Sequence, residues 1–251
     1  MLNNLICYNI IFYFMIYSFL GWCTEVLYYF KIEHKFVNRG FLYGPFCPIY
    51  GCGIILVITL LDEYKNNLFI LFISAFFLTS ILEYITGYIL EKLFKSKWWD
   101  YTDDPFNING RVCLLYSILW AISCVFIIKV LHPLNILISN NISLNIKLFV
   151  SYVFSIYFFT DSIFTVLSLI KFKSLLTKLQ LQLVSVRESE IFTRGNVILN
   201  AKEKALKTVQ SLSKMKFNLN HIRLIKAFPN VSSKKFGYIL NSIKDYIKKE
   251  K

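Results

Sequence analysis

The chain has 251 residues, 56% of them apolar and 18% aromatic, with a mean hydropathy of +0.52, which exceeds what a water-soluble domain carries. Residues 1–170 hold ten basic and ten acidic residues and residues 171–251 hold eighteen and five, so the whole net charge of +13 lies in the last 81 residues. A uniform soluble fold is excluded, and the expectation is an all-α polytopic membrane protein with a neutral transmembrane domain over 1–170 and a basic helical cytoplasmic tail over 171–251.

A spanning helix needs about 20 mainly apolar residues, and five segments approach that length: 5–30, 44–62, 68–94, 112–131 and 148–170. Met1-Leu2-Asn3-Asn4 offers neither a basic n-region nor a small-residue cleavage site, so no removable signal peptide is expected. The second segment is the weakest, because Gly44, Pro45, Pro48, Gly51 and Gly53 crowd its first half. Irregular backbone is expected over 44–53, and at membrane depth it survives only against protein or a water-filled cavity. Basic residues set the orientation. Lys31, Lys35 and Arg39 follow the first span and Lys92, Lys95, Lys97 and Arg111 flank the loop after the third, whereas the 62–67 turn has only Lys65. With five crossings the N-terminus is expected outside and the C-terminus in the cytoplasm.

Glu25, Glu83 and Asp161 fall inside these spans. Each costs about 2.5–3.5 kcal/mol at a helix centre, so each is expected to face protein or water and to have a partner. They read either as interhelical fasteners paired with Arg39, Arg111 or Tyr hydroxyls, or as proton or substrate groups. A weak internal repeat accompanies them: Phe19-Leu20 precedes Glu25 as Phe77-Leu78 precedes Glu83, and each hairpin then reaches an Asn/Arg segment, Asn38-Arg39-Gly40 and Asn109-Gly110-Arg111. The loop from Lys97 to Arg111 is unlike a connecting turn. Trp98, Trp99 and Tyr101 suit a headgroup interface, and Asp100, Asn107, Asn109 and Arg111 add groups able to hold a polar headgroup or small anion. The alternative is an interface cap for the flanking helices.

No CxxC or Cys/His cluster among the six cysteines has the spacing of a zinc site, and no metal or cofactor is expected. His34, His132 and His221 read as isolated surface histidines. In the tail, Leu175, Leu176, Leu179, Leu183 and Val186 recur at helical spacing, as do Phe236, Leu240, Ile243 and Ile247 after Ser232-Ser233. A division is expected at Gly195-Asn196, with a basic helical stretch at Lys202–Lys207. Such helices are expected to lie on anionic lipid, and nucleic-acid binding is disfavoured because no recognition motif accompanies the charge.

The sequence resembles a family of bacterial membrane proteins, the CmpB-like or putative ABC-transporter type IV family. The resemblance is carried by Ser18 to Glu25 (SFLGWCTE), Asn38 to Gly51 (NRGFLYGPFCPIYG), Glu83 with Glu91, Trp98-Trp99-Asp100-Tyr101 and Pro105 to Arg111 (PFNINGR). It covers about residues 10–125, and Lys226-Ala227-Phe228-Pro229 looks like a tail motif of some members. It implies an ABC-type permease in the bacterial plasma membrane. The chain has no G-x-x-x-x-G-K-[ST] loop, so a separate ATPase subunit would be needed, and five spans imply a homo-oligomer or a second membrane subunit. The substrate-binding or cavity candidates are Glu25, Asn38, Arg39, Tyr43, Glu83, Trp98, Trp99, Asp100, Tyr101, Asn107, Asn109, Arg111 and Asp161. Two other readings stand beside the permease-like subunit: a membrane enzyme acting on lipid headgroups, and a scaffold whose tail recruits a cytoplasmic partner.

Overall fold

The computed structural model describes residues 2–191 and 219–249. The expected division at Gly195-Asn196 and the basic stretch Lys202–Lys207 lie outside the described residues. The chain forms two compact units, Met1–Ile89 with Asp100–Thr165, and Leu90–Trp99 with Val166–Lys251.

The first unit begins with α1 (Leu2–Glu33), followed by an irregular strap over 34–47 and α2 (Pro48–Leu61). A 3-10 turn, Asp62–Tyr64, leads to α3 (Leu68–Phe94). The loop after α3 holds a two-residue antiparallel pair, β1 (Asn107–Ile108) and β2 (Val112–Cys113). Asn109 and Gly110 both have positive φ, 55° and 67°, and the Arg111 N–H donates to the Ile108 carbonyl at 3.1 Å. This is the Asn-Gly hairpin turn whose twist matches that of paired strands. Next come α4 (Leu114–Phe126), a π turn (Ile127–Leu131), α5 (His132–Asn140) and α6 (Leu144–Ile191).

Among the described residues, four helical stretches are long and apolar enough to cross a membrane: Asn9–Glu33, Leu68–Phe94, Leu114–Asn140 and Leu144–Leu181. The chain is an all-α polytopic membrane protein. The expected second span is instead the strap followed by the 14 residues of α2, about 21 Å of helix against a hydrocarbon core of about 30 Å. The strap re-enters the bundle. The Cys47 N–H donates to the Ser18 carbonyl at 3.0 Å, and Ser18 lies fifteen residues before the end of α1, about 22 Å back along that helix. From there α2 runs back along α1, and Ile54, Val57 and Leu61 pack with Tyr17, Leu71, Ala75, Ala121, Cys124 and Ile128 in the core of the unit. The strap and α2 together therefore cover the distance of a span.

The fourth span is longer than expected: 132–147 is not a loop, because the helix continues to Asn140. Pro133 has no N–H and would press on the carbonyl of residue 129 in a regular α-helix, and the wider π turn just before it accommodates the ring. His132 is accordingly buried, not on the surface. Its Nδ1 lies 3.0 Å from the Tyr17 hydroxyl, to which the Asn135 side chain also donates at 3.1 Å.

In the second unit, α6 continues to Ile191, followed among the described residues by α7 (Leu219–Ala227) and α8 (Gly237–Lys249). Phe172, Leu176, Leu179, Ile225, Phe236, Ile239, Leu240 and Ile243 form its core. The helical positions expected in the tail, Leu175, Leu176, Leu179, Phe236, Leu240, Ile243 and Ile247, meet in this core. Ser233 Oγ accepts from the Phe236 N–H at 3.1 Å just before α8. Residues 97 and 232 exchange two backbone hydrogen bonds of 2.8 and 2.9 Å.

Candidate functional site

The strap is irregular because Gly40, Gly44, Pro45 and Pro48 interrupt it, so its backbone polar groups need partners other than a helix. Asn38 supplies several. Its Oδ1 accepts from the Trp22 indole at 2.7 Å and from the Gly40 N–H at 2.9 Å, and its Nδ2 donates to the Tyr43 carbonyl at 2.8 Å. Asp161 supplies the others. From α6 its two oxygens accept the Tyr43 and Gly44 N–H groups at 2.9 and 2.8 Å, and Thr165 donates to Oδ1 at 3.2 Å. The expected partners of Asp161 were Arg39, Arg111 or a Tyr hydroxyl; the main ones are backbone amides. A side chain at Gly44 would run into the Tyr157 hydroxyl. Tyr43 enters the arrangement through its backbone, with its ring exposed.

The strap brings Arg39 to Glu25. Arg39 Nη2 lies 3.3 Å from Glu25 Oε2 and its guanidinium sits over the Tyr29 ring at 5.1 Å. Glu25 Oε1 accepts from the Tyr50 hydroxyl on α2 at 2.6 Å, and the Tyr50 ring lies 4.6 Å from that of Trp120 on α4. Both oxygens of Glu25 are thus engaged.

The second hairpin repeats the plan with one difference. Arg111 donates to the Tyr84 hydroxyl at 3.0 Å and lies over the rings of Tyr84 and Tyr88, and Asn109 donates to the same hydroxyl at 3.0 Å. Arg111 therefore turns to the tyrosines beside Glu83, whereas Arg39 reaches Glu25 itself. Cys113 starts α4 as Cys47 starts α2, each with an extended backbone, and Tyr116 follows Cys113 at the spacing of Tyr50 after Cys47. Tyr116 stacks on Tyr101 at 4.7 Å and 22°.

Glu83 is 5% exposed. Its Oε1 accepts from the Tyr101 hydroxyl at 3.2 Å, while Oε2 is buried with no hydrogen-bond partner among the described residues. Burial first, and the Glu83 carboxyl second, push the Tyr101 hydroxyl well above the ordinary tyrosine range, so this loop residue stays a neutral donor. On α4, Tyr116 lies one turn before Trp120, so the Glu83–Tyr101 and Glu25–Tyr50 pairs meet the same helix. Glu25, Arg39, Tyr50, Glu83, Tyr101 and Tyr116 thus form one polar cluster between α1, α2, α3 and α4.

Other expected site residues are placed elsewhere. Trp98 belongs to the second unit, where it packs edge-on against Phe94 and Phe228 at 6.3 and 5.3 Å, and Trp99 belongs to the same unit. Asp100 accepts from the Thr102 N–H at 3.2 Å and from its hydroxyl, a local turn. Asn107 ties the loop together, donating to the Thr102 and Asp104 carbonyls at 3.1 and 2.9 Å and accepting from the Gly110 N–H at 3.0 Å. Tyr50 and Tyr116 were not singled out from the sequence; their common spacing after Cys47 and Cys113 was the available signal. Among the described residues no group of three or more His, Cys, Asp or Glu could hold a metal ion.

An all-α membrane bundle with a re-entrant strap and an acid-tyrosine cluster defines the class of protein. The chain belongs to the family described as Putative ABC-transporter type IV, whose model matches residues 12–166. The match ends beside Thr165, where the first unit ends. No curated protein and no solved structure matches the chain.

Proposed function

We propose that this chain is the permease-like membrane subunit of an ABC-type transporter and that the cluster around Glu25 and Glu83 is its substrate or coupling site. The observation that carries this reading is the pairing of two acids from corresponding places in two hairpins. One is engaged by Arg39 and Tyr50, and the other is buried with an oxygen to spare. Non-helical backbone within a bundle is a recurrent way of building such sites in transporters. Because the chain carries no P-loop, the subunit works with a separate ATPase and as part of an oligomer or with a second membrane subunit. It sits in the bacterial plasma membrane, with the N-terminus outside and the basic C-terminal segment in the cytoplasm.

The membrane-enzyme alternative gains little support, since no nucleophile–base pair lies in the cluster among the described residues. The test is affinity purification of the full chain in mild detergent. An ATPase that co-purifies, with ATP hydrolysis lowered by Glu83→Gln, is expected. Purification of the chain alone, without associated ATP hydrolysis, overturns the reading.

A further inference from the structure

Asp161, Glu25 and Glu83, from three of the spanning helices, form a series. Asp161 has both oxygens on backbone amides, and Glu25 has one on a tyrosine hydroxyl and one on a guanidinium. A structural fastener in an apolar bundle looks like that, with every acceptor filled. Glu83 departs from the pattern: it is more buried than Glu25, has one weak donor on Oε1 and has no partner on Oε2.

Charge points the same way. Tyr101 from the loop after α3 donates to Glu83 and stacks on Tyr116 of α4, and one turn along α4 Trp120 meets Tyr50 of α2, which donates to Glu25 of α1. The guanidinium of this cluster is held by Glu25, and Arg111 is turned to Tyr84 and Tyr88. Two carboxylates and one guanidinium leave one negative charge over, and an uncompensated buried charge is strongly destabilising. A divalent ion would overcompensate that single charge. One positive charge neutralises it, delivered where an acceptor is open.

We infer that Glu83 Oε2 is the binding point of a single monovalent cation, held beside the Tyr101 hydroxyl and balanced by the Glu83 carboxylate, since Glu25 is already paired with Arg39. The shared chemistry is one positive charge at a buried carboxylate; a proton, an alkali ion and a small protonated amine all supply it. The inference deepens the permease reading and rests on it for assigning the cation a part in transport. The binding itself is measured independently.

The experiment is infrared spectroscopy of the purified full chain in nanodiscs, following the carbonyl stretch of a protonated carboxyl. Spectra are recorded across pH in choline chloride, then with sodium chloride or methylammonium chloride at equal ionic strength. A protonated-carboxyl band is expected in the wild type and not in Glu83→Gln, present at low pH and lost as pH rises with the titration of one group. Loss of the band on adding sodium or methylammonium, with release of one proton per chain, identifies that ion as the competing occupant. Insensitivity to both identifies the proton as the cation. Identical wild-type and Glu83→Gln spectra at every pH and salt overturn the inference. Should Glu83→Gln fail to fold, Tyr101→Phe serves: removing the donor to Oε1 is expected to shift the band, and an unshifted band overturns the assignment to Glu83. Cation binding without an ATPase partner would sink the permease reading alone, and an ATPase partner without cation binding would sink this one alone.

Discussion

Replacing Asp161 tests whether the strap is held from α6. Asp161→Ala removes the acceptor of the Tyr43 and Gly44 N–H groups, at 2.9 and 2.8 Å. Hydrogen bonds to a charged group contribute about 1.5–3 kcal/mol each, so the two together are worth about 3–6 kcal/mol. Asp161→Asn keeps one acceptor and turns an NH2 group toward the other amide, so about half of that loss is expected. At ~2–4 °C per kcal/mol for a chain of this size, Asp161→Ala should lower the apparent midpoint of thermal unfolding in detergent by roughly 6–24 °C, with Asp161→Asn between it and wild type. The midpoint is read from tryptophan fluorescence, since Trp22 bonds to the strap through Asn38 and reports its release. A midpoint within a degree or two of wild type for Asp161→Ala would refute the reasoning, because the strap would then be held by something other than this carboxylate.

Gly21→Ala would put a methyl group against the root of the Tyr50 ring, forcing α1 and α2 apart at an overpacking cost of about 1–3 kcal/mol. Gly237→Ala meets nothing within 4 Å and should be neutral or slightly stabilising in the same unfolding assay, and equal effects of the two changes would argue against the close approach. Phe236→Ala empties a site that is 1% exposed in the core of the second unit at about 3–5 kcal/mol. Limited proteolysis should then cut the C-terminal segment faster, and an unchanged digestion pattern would show that the tail helices do not depend on this core.

Long apolar runs were the most legible part of the sequence. The third span was expected at 68–94 and α3 is Leu68–Phe94, because hydropathy over that length leaves little choice. Gly and Pro also marked the irregular approach to the second segment, though the helix begins at Pro48 rather than after Gly53, since Pro is well placed in a first helical turn. Glu25, Glu83 and Asp161 announced themselves by their cost, and Arg39 and tyrosine hydroxyls were among the expected partners that Glu25 and Glu83 take. The main partners of Asp161 did not show: it bonds to main-chain N–H groups, which every residue carries and no side-chain pattern reveals. Tyr50 and Tyr116 were hidden for a similar reason, as two among 16 tyrosines in a chain where aromatic belts explain most of them. The amphipathic tail gave helices correctly, but periodicity alone cannot say whether an apolar face meets lipid or protein.

The hydrogen bonds from Tyr43 and Gly44 to Asp161 join residues 118 and 117 positions apart. During synthesis, at roughly 5–20 residues per second, the strap leaves the ribosome about 6–24 s before its acceptor exists. Two backbone amides bound for the bilayer interior cannot settle there unpaired, where each unsatisfied group costs several kcal/mol, so they stay with water or the insertion machinery until α6 arrives. Biogenesis of the first unit is therefore closed by its last helix. A nascent chain released before residue 161 carries a hairpin that cannot seat its own loop, which makes it a marked substrate for membrane quality-control proteases.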